Sequence, residues 1–175
     1  DRMAILPALS IGGAGGGSVE TGGGFVFRAN LGLEYRLSPD LSLIMEGGYL
    51  TAPDGNFDTR YLGLNLAYVM ETFAQDQKGA PLVKTDLIKT TKWRFRPAQQ
   101  WYFDAQRQGG PSRDMQLLGG KIDWMGGDWW YLTGQGLSAY EGGAGGYSEG
   151  HWGVGILGPR WNTMRFYGEM LIGAG

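Results

Sequence analysis

The sequence predicts an all-β fold, an antiparallel up-and-down barrel of about eight to ten strands. Three observations carry this. Apolar and polar residues alternate with period two along several segments. Those segments run to about 9–14 residues, where ordinary strands average ~5–6. The connections are short at one end of the implied sheet, and mostly longer and glycine-rich at the other.

The elements follow in order. Residues 4–11 read as a first strand, ahead of a glycine-rich tip at 12–24. From 25 to 37 the odd positions are Phe25, Phe27, Ala29, Leu31, Leu33, Tyr35 and Leu37, whereas the even ones include Arg28, Asn30, Glu34 and Arg36. One face is apolar and the other mostly polar, as in a half-buried strand. Ser38-Pro39-Asp40 is a turn, because proline presets φ and aspartate caps the reversal. A strand at 41–51 and the turn Pro53-Asp54-Gly55-Asn56 come next. In the strand at 57–70, Leu62, Leu64, Leu66, Tyr68 and Met70 share a face opposite Thr59, Tyr61, Gly63, Asn65 and Ala67. Residues 71–90 are polar and aperiodic, read as a loop or a short helix near 82–88.

Alternation resumes at 92–106, with Trp93, Phe95, Trp101 and Phe103 opposite Arg94, Arg96, Gln100 and Asp104. Pro97 in that run calls for a bulge, an edge or a break. Strands at 114–125, 129–140, 147–157 and 163–175 complete a count of about nine. The turns Gly126-Gly127-Asp128 and Gly158-Pro159-Arg160 and a glycine-rich tip at 142–146 separate them. An odd count invites a missing strand, a different division of the chain around Pro97 or 71–90, or membership of a larger barrel, since single-chain bacterial barrels have even numbers. The opening Asp1-Arg2-Met3-Ala4 has no leader character, so any signal peptide is already removed or the sequence is a fragment.

Composition narrows the function classes. The 175 residues include 33 glycines, no cysteine and one histidine, and the formal net charge is -2. Without a basic excess, nucleic-acid binding is not expected. Without cysteine there are no thiolate metal sites or thiol nucleophiles. No run approaches the ~18 apolar residues of a membrane helix. The expectation is one domain spanning 1–175, alone or as part of a longer chain, with no cofactor and no metal.

In the segments FVFRANLGLEYRL, RYLGLNLAYVM, KWRFRPAQQWYFDAQ and MRFYGEMLIGAG the chain resembles the bacterial outer-membrane β-barrels. The resemblance is one of pattern. Strands of ~9–11 residues cross a bilayer at a tilt. Aromatics also fall into two groups near the strand ends: Tyr35, Tyr68, Trp93, Trp124, Trp129, Trp130 and Trp161, then Phe25, Phe27, Tyr49, Trp101, Phe103, Tyr140, Tyr147 and Trp152. The resemblance implies a transmembrane barrel in the outer membrane of a Gram-negative bacterium. Its partners would be outer-membrane lipid and, in an envelope assembly, other subunits. A soluble β-sandwich or barrel is the competing fold, but its inward faces would be apolar.

On the membrane reading the lumen is lined by Arg28, Glu34, Arg36, Glu46, Arg94, Arg96, Asp104, Lys121, Asp123, Arg165 and Glu169. Mixed acids and bases in a narrow lumen should pair, because an unpaired buried charge is costly. His151 is the one conventional general base, and Glu149 shares its strand face. These two are the candidate catalytic pair of a lipid hydrolase, with Ser138 or Ser112 brought close by the fold. Ser148 lies on the opposite face. The glycine strings at 12–24 and 142–146 lack the residues of a phosphate loop. They read as flexible tips and echo one another. Asp54, Asn56 and Asp58 have part of a calcium-loop spacing and read as a turn. Lys89, Lys92, Arg94 and Arg96 form the basic cluster, paired, solvated or facing lipid phosphate.

Three functions follow. The first is an outer-membrane barrel with a structural, porin-like or export-channel role. The second is a lipid-acting hydrolase using His151 and Glu149. The third is a soluble all-β module that binds or self-assembles.

Overall fold

The computed structural model describes residues 2–73, 90–107, 109–161 and 164–172, the side chains at 71–73, 90, 91, 159–161, 164–167, 171 and 172 excepted. Among the described residues there are nine strands and no helix: β1 (Met3–Gly15), β2 (Phe25–Arg36), β3 (Leu41–Thr51), β4 (Asp58–Phe73), β5 (Thr90–Arg107), β6 (Gly110–Met125), β7 (Trp130–Glu141), β8 (Ser148–Trp161) and β9 (Met164–Ile172). Each pairs antiparallel with the next, and the sheet closes into a barrel. Closure removes the exposed edges that an open sheet would present.

The closing pair corrects the expectation of a wholly antiparallel barrel. β1 and β9 are parallel, from Met3 opposite Met164 to Ile11 opposite Ile172. Direction alternates along the chain, so the first and ninth strands point the same way. Above this seam β1 continues and pairs antiparallel with β8, Gly13 opposite Gly150 and Gly15 opposite Ser148. The expected glycine tip at 12–24 therefore begins as strand. The two glycine strings that echo each other in sequence are neighbours in space.

Other boundaries shift locally. The expected turn at Gly158-Pro159-Arg160 lies inside β8, where the register with β9 shifts between Leu157 and Arg160. β5 runs unbroken through Pro97, but its pairing with β4 skips from Ala98 to Phe95. The proline offers no N–H there. A true bulge lies further on, where the β5–β6 register shifts between Tyr102 and Ala105. The loop-or-helix expectation for 71–90 lies largely outside the described residues, with β4 ending at Phe73 and β5 starting at Thr90.

The faces divide by polarity in the reverse of a soluble barrel. Leu31 is 60% exposed, Met45 61%, Leu62 57%, Leu118 60% and Met170 65%, all on the outer wall. Buried on the inner wall are Arg28, Glu34, Glu46, Arg94, Arg96, Lys121, Asp123, Glu149 and Glu169. Trp129, Tyr35 and Tyr68 stand out near the short-turn end, and Tyr49, Tyr140 and Trp152 near the other. Tyr147, expected among the latter, is instead fully buried and packs on Phe57 with ring centroids 5.7 Å apart.

That contact belongs to an apolar layer that fills the long-loop end. Val19, Ala52, Phe57, Ala144 and Tyr147 come from the loops, and Val26, Leu50, Tyr61, Tyr102, Met115, Leu117 and Leu137 from the wall. Close loop packing requires glycine at one point especially. Gly17 has φ +59° and lies so near the Ala144 carbonyl that a Cβ would collide with it. A smaller apolar group, Ala4, Leu6, Ile44, Ala67 and Tyr131, lies towards the short-turn end.

Candidate functional site

The charged lumen between these apolar layers is where the chain concentrates its chemistry. It has two linked clusters. In the first, Arg28 of β2 donates from Nη1 to Glu149 Oε1 at 2.9 Å and from Nε to the Tyr61 hydroxyl at 2.6 Å. Its Nη2 reaches Glu46 Oε1 at 3.4 Å. Gln100 donates to that same oxygen at 2.8 Å. Tyr102 and Tyr147 donate to Glu149 Oε2 at 2.8 and 3.1 Å. Arg28 also stacks 4.0 Å from the Tyr61 ring centroid.

The second cluster lies nearer the short-turn end. Asp123 of β6 accepts from Arg94 Nε and Arg96 Nη2, each at 2.6 Å. Arg96 also donates to Glu169 Oε1 of β9 at 2.7 Å. Lys121 reaches the other Glu169 oxygen at 2.9 Å, and the Tyr131 hydroxyl donates to Oε1 at 2.7 Å. Charge-assisted bonds of this length are the strong ones, and they are what makes a buried ion tolerable. Lumenal charges therefore pair across strands far apart in sequence.

Most of the expected lining residues lie in this lumen, Asp104 and Arg36 being exposed. Asp104 is exposed, because the bulge after Tyr102 puts Ala105 on the inner wall in its place. Its backbone sits at φ +52°, and its N–H donates to Asp114 Oδ1 at 3.0 Å. Arg36 is exposed at the end of β2 and helps line a cavity of about 290 Å³ at the short-turn end, with Glu34, Ser42, Lys92 and Arg94. The Arg165 side chain lies outside the described residues, as does Lys89. Of the basic cluster, Arg94 and Arg96 thus turn inward to Asp123.

Sequence reasoning missed the tyrosines. Tyr102 and Tyr147 donate to Glu149 and Tyr131 to Glu169, while the Tyr61 hydroxyl accepts from Arg28. Parity held the signal for three of them: Tyr61 shares a face with Asn65, Tyr102 with Gln100, and Tyr131 with Gln135.

His151 and Glu149 both lie inside, but neither expected serine joins them. The imidazole is buried against Gly12 of β1, where an added Cβ would collide with the Cδ2–Nε2 edge of the ring. Neither ring nitrogen has a hydrogen-bond partner among the described residues. Ser138 and Ser148 pair with each other at 2.9 Å on the exposed outer wall, and Ser112 is exposed in β6. Glu149 is engaged by Arg28 and the two tyrosines. The Asp54, Asn56 and Asp58 spacing does not converge either: Asn56 donates to Glu20 at 3.3 Å, and Asp58 accepts from the Tyr49 hydroxyl. No group of three or more potential metal ligands occurs among the described residues.

No family model, curated protein or solved structure matches this chain. The case for function therefore rests on the barrel itself.

Proposed function

We propose that the chain is an integral β-barrel of the bacterial outer membrane with a structural, non-conducting role. The observation that carries this reading is the reversed polarity of the wall. The side chains that meet the surroundings are Leu, Met, Ile, Val and aromatics, and those that meet each other in the lumen between the two inner apolar layers are charged. Exposed to water, so continuous an apolar surface would far exceed the few hundred Å² that soluble monomers tolerate. Against lipid it is the stable arrangement.

The filled lumen favours a structural role over a pore. Ions entering from the long-loop end would meet Phe57, Tyr147, Tyr61 and Tyr102, then the Arg28–Glu149–Glu46 cluster. The lipid-hydrolase alternative has nothing comparable to support it, because neither ring nitrogen of His151 has a hydroxyl partner among the described residues. The test has two parts. Unboiled protein should migrate as a compact species in detergent gels and shift on boiling. In a planar bilayer it should add no steady conductance. Full solubility without detergent would refute the membrane reading, and stable channels would refute the sealed one.

A further inference from the structure

The seam between β8, β9 and β1 has a feature that no other part of the described wall shares. Along one rung Val154 of β8, Met170 of β9 and Leu9 of β1 are consecutive partners. On the adjoining inward rung Gly155, Glu169 and Ala8 are consecutive. Above the seam β8 and β1 pair directly, Glu149 with Ala14. Continued downward in the same register, that direct pairing would bring Trp152 opposite Ile11, Val154 opposite Leu9 and Ile156 opposite Pro7. It would keep every inward residue inward, because the side-chain period is two.

The circuit without β9 is already complete at the top. From Ile5 the partners run Leu33, Met45, Leu64, Gln99, Leu118, Ser138, Ser148 and back to β1 at Gly15. This is a closed, wholly antiparallel eight-strand ring with the stagger a tilted barrel needs. The residues β9 separates would suit direct pairing. Inside, the pairs would be Gly12 with His151, Ser10 with Gly153, and Ala8 with Gly155, all but the first small on both sides. Outside they would be apolar throughout.

The seam is also locally weak. The β1–β9 ladder is interrupted at Leu6 and Pro7, and proline donates no hydrogen bond. Parallel pairing is slightly less stable per residue than antiparallel. A groove of about 950 Å³ in the outer wall here is lined by Pro7, Leu9, Val154, Gly168 and Met170, and reaches the inner-wall residue Glu169. Besides its backbone ladders, β9 is tied to the lumen by Glu169, through Arg96, Lys121 and Tyr131.

We infer that β9 is a displaceable wedge: the barrel closes with nine strands when Glu169 is engaged, and with eight, β1 zipped to β8, when β9 withdraws. This rests on strand register and on the Glu169 contacts rather than on what surrounds the barrel, so it stands or falls separately from the membrane reading.

The chain has no cysteine, which makes the test direct. Leu9→Cys with Met170→Cys, the β1–β9 pair, reports the nine-strand form. Leu9→Cys with Val154→Cys, the β1–β8 pair, reports the eight-strand form. Strands two places apart are ~9.5 Å from each other, beyond the ~4.4–6.8 Å Cα span of a disulfide. Each pair is built in the parent chain, in Glu169→Gln and in Glu169→Ala, and oxidised in detergent micelles. Only the fraction that migrates as folded barrel is scored. The expected result is rapid disulfide closure of the β1–β9 pair in the parent. The β1–β8 pair should close at least ~10-fold faster in the Glu169 variants than in the parent. If neither variant folds, the parent carrying the β1–β8 pair is oxidised in sub-denaturing urea instead, where trapping of a still-folded species is expected. Absence of β1–β8 closure in folded protein, while the β1–β9 pair closes, would overturn the inference.

Discussion

Arg28 and Glu149 stand 121 residues apart in the chain and meet across the lumen at 2.9 Å, with side chains 2% and 0% exposed. A buried pair of this kind adds little net stability over an apolar pair of similar volume, but breaking one side of it is expensive. Glu149→Ala should therefore cost about 3–5 kcal/mol in reversible urea unfolding from detergent or vesicles. Arg28→Met with Glu149→Leu should recover part of that loss, because the pair's two charges go together, while Glu46 loses its arginine and keeps the amide donors Asn30 and Gln100. A double variant as unstable as the single one would show that the guanidinium holds more than this pair.

Gly12 and His151 make a second close relationship. A side chain at position 12 must displace the imidazole. Gly12→Val should destabilise the barrel by roughly 1–3 kcal/mol, the usual cost of overpacking. Adding His151→Ala should relieve much of it, which chemical denaturation of the four proteins in a double-mutant cycle would measure. A lipid acyl-hydrolase assay should read the same for the parent and for His151→Ala.

The outer wall gives a third expectation. Leu66 lies midway along the apolar outward run of β4 and is 43% exposed. Leu66→Arg should cost about 2–4 kcal/mol in vesicles if it lies near the bilayer midplane. The native Arg60, higher on the same face, is exposed, and Arg60→Leu should be close to neutral. Equal effects at the two positions would mean that no depth-dependent apolar phase surrounds the barrel.

The loop-end layer is separable from the charged layer beneath it. Phe57→Ala should cost about 3–5 kcal/mol by leaving a cavity against Tyr147. It should not create conductance, because Arg28, Glu46 and Glu149 still fill the section below. Planar-bilayer recording of the variant checks this.

Much of the architecture was legible because period two is a strong signal. The parity of Phe25, Phe27, Leu31 and Leu33 against Arg28 and Glu34 is enough to place the two faces of β2. A one-residue slip would carry these charges to the outer wall, so the inner cluster also fixes register. Glycine defeated the same reasoning. Gly12, Gly13 and Gly15 carry no polarity, and the end of β1 read as a loop. Bulges defeat parity too, as at Asp104. The parallel seam depends on strand number and closure, which no local window encodes. Tyr147 is buried because three loops fold together over the barrel mouth, and nothing in its immediate sequence announces that.

The most direct test of the central claim is a cysteine scan of β4 from position 62 to 67 in vesicles, each variant carrying an environment-sensitive thiol label. Strict alternation is expected. Labels at 62, 64 and 66 report a lipid phase and resist a water-soluble quencher, while positions 63, 65 and 67, facing a filled lumen, label poorly until the protein is unfolded. Ready quenching from water at 62, 64 and 66 would contradict it.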